Sequence, residues 1–336
     1  MEYLDELKNS RILITGGTGF IAHQIALLLL INNDIKHCNN TIVLLARNLK
    51  KLKLIFGDLL KRDDIKLLIQ DVREEVILEP DSIDYIIHAA FPADPQYFEK
   101  DPIGICETAI DGTKQVIKLA KKQKVKSVVY ISSITVYGDI ENETEIEEDY
   151  VGKADWKMNR ACYVQGKRMA ELICFAAFRN LGIPIKILRP GYVYGCCNKE
   201  DTRVYAEIIR NVADNQNVVL KTAGLVYRDM VYVSDLVRAI LCVMLKGENG
   251  EAYNVANEYI SIRQFAEIAV RDSQSRLEYV NSEDRMVEET VEVIGKINSD
   301  KIRACGWEPE VSIEQGIQIA KNTFLVKEEK RKRNLK

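Results

Sequence analysis

Residues 11 to 30 read RILITGGTGFIAHQIALLLL: a short β-branched run, a glycine turn, then an apolar stretch of helical length. Gly16 and Gly19 stand where a chain leaving a strand needs positive φ and where its backbone must approach a pyrophosphate closely. Phe20 and Ile21 open the helix, and Ala22 holds the third position, where a small residue lets helix and strand pack. A glycine motif on its own is weak. Here the strand before it, the helix after it and its place at the start of the chain specify the first βα unit of a dinucleotide-binding sheet.

Downstream, TIVLLA (41–46), IKLLIQ (65–70), IDYIIHAA (83–90), VKSVVYISS (125–133) and IPIKILRP (183–190) carry the same continuous apolar character. Strands apolar on both sides are covered on both sides, as in parallel sheets. The stretches between them, such as 110–122 and 161–181, are amphipathic and helical. Such alternation predicts an α/β protein built on a doubly wound parallel sheet, a Rossmann fold. After residue 190 the pattern loosens into a helix near 205–215 and a strand, VVLKT. RDMVYVSDLVRAILCVMLKG (228–247) then reads as a strand feeding a helix capped by Ser234 or Asp235. The expected organisation is a dinucleotide-binding domain over 1–190, to which 226–247 returns, a smaller mixed substrate lobe over 191–330, and a basic tail, 331–336.

The 336 residues suit one large or two smaller domains. A formal charge of −3 provides no positive field to gather phosphates, which excludes a general nucleic-acid binder. Eight cysteines without a CxxC pair and three histidines offer no metal site. MEYLDELKNS lacks the basic start of a secretion signal, and IALLLLI (25–31) is far shorter than the roughly 20 residues that span a bilayer. These features predict a protein of the reducing cytoplasm, away from membranes.

The end of the second strand chooses between cofactors: an acid there holds a ribose 2′-hydroxyl, whereas a base suits a 2′-phosphate. LLARN offers Ala46 and Arg47, which favours NADP and leaves NAD open. In YVQGK, Tyr163 and Lys167 are four apart and share a helix face. An ammonium beside a phenol, together with a cationic cofactor, lowers the phenol pKa from about 10. Such a phenol can take a proton from a sugar hydroxyl as hydride leaves the same carbon. YxxxK alone is common, but ISSITVYG adds the hydroxyls of Ser132, Ser133 and Thr135 at the sheet's carboxyl edge.

With these residues in place, the chain resembles the extended short-chain dehydrogenase/reductase family, in particular its nucleotide-sugar epimerases and dehydratases. The resemblance runs in family order over residues 10–325 through TGGTGFIA, QDV (70–72), IIHAA, GT (112–113), SSITVYG, YVQGK, LRPGYVYG, RDMVYVSD and YNVAN. It implies a triad of Ser133, Tyr163 as acid/base and Lys167, the lysine also holding the nicotinamide ribose. It implies further cofactor contacts from Asp71, Val72, Ala89, Ala90 and Pro190. Arg228 falls where the family binds the substrate diphosphate, and Tyr192 falls where the family's asparagine contacts it. Arg203 and Arg285 are additional candidate phosphate partners, and Thr135 a candidate sugar contact. A homodimer built on helices 110–122 and 161–181 is implied as well.

Sugar 4,6-dehydratases use Thr-Asp-Glu where this chain has Ser133, Ile134 and Thr135, and decarboxylases of the group usually keep the glutamate. Isoleucine offers no proton and threonine is a poor base. Ser-x-Thr is similar to the 4-epimerases, which need only reversible oxidation at C4. The expectation is an NAD(P)-dependent nucleotide-sugar 4-epimerase. An NADP-dependent 4-keto-sugar reductase or C4 dehydrogenase is the alternative, and a non-catalytic nucleotide sensor is the reading from another class. Ala109 and Tyr192 depart from the family pattern, each replacing an asparagine.

Overall fold

The computed structural model describes residues 2–78, 82–93, 95–140, 145–158, 160–196, 201–280 and 295–334. Strands β1 (Arg11–Thr15), β2 (Thr41–Ala46), β3 (Ile65–Ile69), β4 (Tyr85–His88), β5 (Ser127–Ile131) and β6 (Ile185–Pro190) form where the apolar runs predicted them. The chain continues through β7 (Tyr192–Tyr194), β8 (Val218–Leu220), β9 (Tyr227–Tyr232), β10 (Ala252–Val255), β11 (Glu258–Ser261) and β12 (Leu277–Tyr279). The main sheet has seven strands in the order β10-β6-β5-β4-β1-β2-β3. Every pairing in it is parallel. Winding reverses between β1 and β4, which opens a crevice at the carboxyl ends of the strands.

Helices α1 (Phe20–Lys36), α2 (Leu49–Phe56), α3 (Pro95–Lys100), α4 (Pro102–Glu107), α5 (Thr113–Gln123) and α6 (Ala161–Leu181) connect these strands. In the second half follow α7 (Val204–Ala213), α8 (Val233–Lys246), α9 (Ile262–Arg271), α10 (Asp300–Ala304) and α11 (Ile313–Asn334). The two-sided burial inferred from the apolar runs is met. Ile12 and Ile14 of β1 pack with Ile25 and Leu29 of α1 and with Leu236 and Ile240 of α8. Leu13 faces the opposite layer, with Val116 of α5 and Ala170 and Cys174 of α6. Pairing of β11 with β9 is antiparallel and β7 joins β9 in parallel, so the three-stranded sheet is mixed, whereas β12 and β8 form a separate parallel pair.

Two features differ from expectation. Strand β10 crosses back from the second half to pair with β6, Tyr253 opposite Leu188. Helix α8 begins at Val233, and neither Ser234 nor Asp235 caps it. Asp235 is instead fully buried and accepts from the backbone N–H groups of Glu310 and Val311 at 3.1 and 3.0 Å. Its carboxylate therefore ties the chain before α11 to α8 rather than closing a helix end. Among the described residues, no helix is long and apolar enough to cross a membrane.

Candidate active site

The glycine turn is held by sterics. Gly16 has φ +72°, and a Cβ there would lie 2.8 to 2.9 Å from backbone atoms of Ala89 and Ala90. Only glycine satisfies both conditions. Gly19 caps α1 without a side chain, so no side-chain acceptor occupies the N–H groups of the helix's first turn. Gly17 and Gly19 N–H are bonded to the Leu45 and Gly16 carbonyls at 2.9 and 2.7 Å, so the turn is a cradle whose available donors are those of the helix's first turn, suited to a dinucleotide pyrophosphate. Opposite it, Thr15 Oγ1 accepts from the N–H groups of both Ala89 and Ala90 at 3.1 Å. Its single proton goes to His88 Nδ1, 2.8 Å away, which leaves Nε2–H of His88 to donate to Thr113 Oγ1 at 3.3 Å. Burial pushes His88 down to about 3, so this spacer stays neutral.

At the adenosine end, Asp71 draws two guanidinium groups. Arg73 donates to it from its backbone N–H at 2.9 Å and from its side chain at 3.1 Å, and Arg47 approaches at 3.5 Å. Arg47 itself remains 64% exposed. Val72 is buried against Gly112, and Pro190 is buried at the end of β6. Phe20 receives the guanidinium of Arg203 at 5.4 Å from its ring centre, and Ile21 packs on the same core.

The three reacting groups expected from the sequence converge. Ser133 leaves the end of β5 and caps a short helical turn, Ile134–Tyr137, by accepting from Thr135 N–H at 3.2 Å. Thr135 Oγ1 also donates to Ser133 Oγ at 3.1 Å. Tyr163, half-buried on the first turns of α6, faces Ser133, whose hydroxyl favours the phenolate form. Its ring is wedged by Phe91 and Phe98, each 5.2 Å away between centroids. Lys167 is buried and donates to the Ile131 carbonyl at 2.6 Å.

The phenol's electrostatics run opposite to the expectation in the protein alone. Burial pushes Tyr163 up to about 12, the Ser133 hydroxyl opposes that, and the nearby Tyr192 phenol adds to it. Lys167 does not offset the rise, because its amine is turned to the Ile131 carbonyl and is itself pushed down to about 7 by burial. A cationic ring beside the phenol would supply the missing positive charge.

Of the four substrate candidates besides Ser133 and Thr135, two meet. Tyr192 lies opposite Met230 in register, and the Arg228 guanidinium, two residues earlier on β9, stacks 4.9 Å from the Tyr192 ring. Arg203 is committed elsewhere. It pairs with Asp201 from Nε and Nη2 and donates to the Val193 carbonyl and the Tyr205 hydroxyl, each at 3.0 Å. With those donors engaged it acts as a clip within the fold and not as a free phosphate ligand. Arg285 lies outside the described residues.

Asp229, beside Arg228, was not singled out from sequence. It is 2% exposed, and one oxygen accepts from Ile297 N–H at 3.1 Å while the other has no partner among the described residues. Burial raises its pKa to about 7. A carboxyl that keeps its proton longer when folded stabilises fully below the unfolded value and loses that contribution as pH climbs towards 7. Asp229→Asn is therefore expected to gain on the order of 1–3 kcal/mol relative to the parent between pH 4 and pH 8. Chemical denaturation across that range reads the difference, and parallel curves would refute it.

Chemistry arranged in this way, a phenol and a hydroxyl beside a dinucleotide cradle, belongs to the extended short-chain dehydrogenase/reductase class, and the chain is an enzyme of that class. The sequence profile of the NAD dependent epimerase/dehydratase family matches residues 12–256, and the chain belongs to that family. It is 29% identical over 324 residues to UDP-glucuronic acid decarboxylase 6 of Arabidopsis thaliana, covering 94% of this chain and 89% of that protein. Its fold is similar to UDP-glucose 4-epimerase of Thermotoga maritima, with TM-score 0.78 and 21% identity over 95% of this chain and 99% of that one. UDP-glucuronic acid 4-epimerase of Bacillus cereus, solved with UDP-glucuronic acid and NAD, aligns at TM-score 0.74 and 22% identity, over 94% and 99% of the two chains.

Proposed function

We propose that the protein oxidises and re-reduces C4 of a nucleotide-activated sugar, acting as a 4-epimerase. The observation that carries this reading is that Ser133 and Tyr163 meet beside the glycine cradle, with isoleucine and threonine at positions 134 and 135 in place of acids. Ile134 is buried and Thr135 is spent on Ser133, so neither position supplies the acid and base that water removal needs. Gly16, Gly19, Phe20 and Ile21 would hold the dinucleotide's pyrophosphate, Asp71 and Val72 its adenine, and Ala89, Ala90 and Pro190 its groove. The cofactor, when bound, accepts hydride and gives it back. Tyr163 takes the C4 hydroxyl proton and later returns it, while Ser133 holds the same oxygen. Arg228, whose guanidinium lies over the Tyr192 ring, would bind the sugar's diphosphate.

Incubation with UDP-glucose, UDP-glucuronic acid and UDP-N-acetylglucosamine tests the reading by NMR of the products. A C4 epimer of unchanged mass, formed without net cofactor turnover, is expected. Net use of NADPH with a 4-keto sugar would replace it with the reductase. One observation favours a second reading, the 29% identity to a UDP-glucuronic acid decarboxylase over 94% of this chain. A hexuronic acid oxidised at C4 is a β-keto acid and sheds carbon dioxide readily. A pentose product would therefore mark decarboxylation by the same first step.

We also assign NADP preference to Arg47, which is exposed at the end of β2 and, among the described residues, has only a long contact to Asp71. Arg47→Glu should weaken NADPH binding about 10- to 100-fold and spare NADH, since a charge-assisted bond to phosphate contributes about 1.5–3 kcal/mol. Calorimetric titration with both cofactors decides this, and equal losses would remove Arg47 from the selection. A homodimer through α6 is supported by Met169, Leu172 and Phe175, 43, 58 and 45% exposed on that helix. Sedimentation as a monomer at micromolar concentration would count against it.

A further inference from the structure

Tyr163, Lys167 and Glu171 follow one another at four-residue intervals on α6, so one helix face carries a phenol, an amine and a carboxyl in series. Lys167 is 3% exposed and Glu171 8%. The Lys167 amine lies over the rings of Phe91 and Tyr130, 4.2 and 4.9 Å from their centres. Among the described residues, no carboxylate comes within ion-pair distance of it. Glu171 is gripped from the other side, because Arg189 of β6 donates to both its oxygens at 3.0 and 2.7 Å. Arg189 is itself fixed by the Tyr137 hydroxyl at 2.9 Å and the Glu148 carbonyl at 2.7 Å.

We propose that Glu171, clamped by Arg189, is a positioning residue that keeps Lys167 in its ammonium form beside Tyr163. Among the described residues facing the amine, Glu171 is the one source of negative charge. On its own helix Cys174 is a neutral thiol, pushed up by burial. From β5, Tyr130 is a neutral phenol, raised far above its ordinary value. His88 of β4 is neutral, and Tyr163 is protonated in the protein alone. Against the burial that drives Lys167 down to about 7, the Glu171 charge is the largest opposing influence. An anion held by an arginine cannot swing in to pair with the lysine directly, so the amine stays free to turn towards a ribose hydroxyl. Only the consequence for turnover rests on the epimerase reading.

The test is NMR titration of the full chain labelled with [13Cε]lysine, with Lys167→Met identifying the signal. In Glu171→Gln the Lys167 midpoint should fall by at least about one unit, a tenfold loss of ammonium at fixed pH. Glu171→Asp should restore most of it. Arg189→Gln breaks the same ion pair but leaves the carboxylate, and should not lower the midpoint. Should Glu171→Gln fail to fold, Glu171→Met with Arg189→Met removes both charges at similar volume and should still lower the midpoint, by less than Glu171→Gln because the guanidinium's repulsion is lost as well. An unchanged midpoint in Glu171→Gln, or an equal fall in Arg189→Gln, overturns the proposal. A shifted midpoint in a protein that turns over no nucleotide sugar upholds it and sinks the epimerase reading instead.

Discussion

Tyr163→Phe should lose about 10²- to 10⁴-fold in turnover while keeping its fold, the range lost when a positioned general acid–base is removed. The substitution is clean because the ring's neighbours do not depend on the hydroxyl. Phe91 stands edge-on to the Tyr163 ring, and Phe98 packs tilted against it at the same 5.2 Å separation. Among the described residues, the hydroxyl's interaction with Ser133 is what disappears. The unfolding midpoint should therefore stay close to that of the parent, and cofactor affinity should change little. Turnover at the parental rate would show that proton transfer runs through another group. A large fall in stability would show that the hydroxyl holds the site together.

The second large effect is expected at Gly16. A valine there must adopt a left-handed backbone and place Cβ within 2.9 Å of main-chain atoms that cannot give way locally. Strain and overlap together should cost about 3 kcal/mol of folding stability. The loss of cofactor binding should be larger in proportion, because relief comes only by pushing Ala89 and Ala90 away from Thr15 and breaking the two bonds that fix the groove. Denaturant unfolding and calorimetric titration read the two effects separately. Binding within twofold of the parent would mean that the turn does not approach the dinucleotide.

The fold was largely legible because parallel strands covered on both faces announce themselves as unbroken apolar runs. β10 escaped because AYNV is short and its Asn254 interrupts the run. That asparagine is fully buried, accepts from Tyr137 at 2.6 Å and donates to the Ile146 carbonyl at 3.2 Å. Its polarity is satisfied by residues more than a hundred positions away, which local pattern cannot see. Spacing showed Tyr163 and Lys167 as a pair on one helix face and only the family resemblance added Ser133; the same four-residue step leads on to Glu171, which was nonetheless missed. Arg189 was not legible, since its partners come from α6, the turn after β5 and the segment at Glu148. Arg203 stood as a phosphate candidate because the sequence did not place its loop, and only the fold shows it bound to Asp201, Val193 and Tyr205.

The late return of β10 bears on how the chain is made. When the ribosome has released β6, that strand's outer edge has no partner, and its partner emerges roughly sixty residues later. Throughout that interval the nascent protein shows a bare row of amides and carbonyls beside a finished nucleotide fold. A fragment ending near residue 195 should therefore clump or seek a chaperone, however well its first six strands are written.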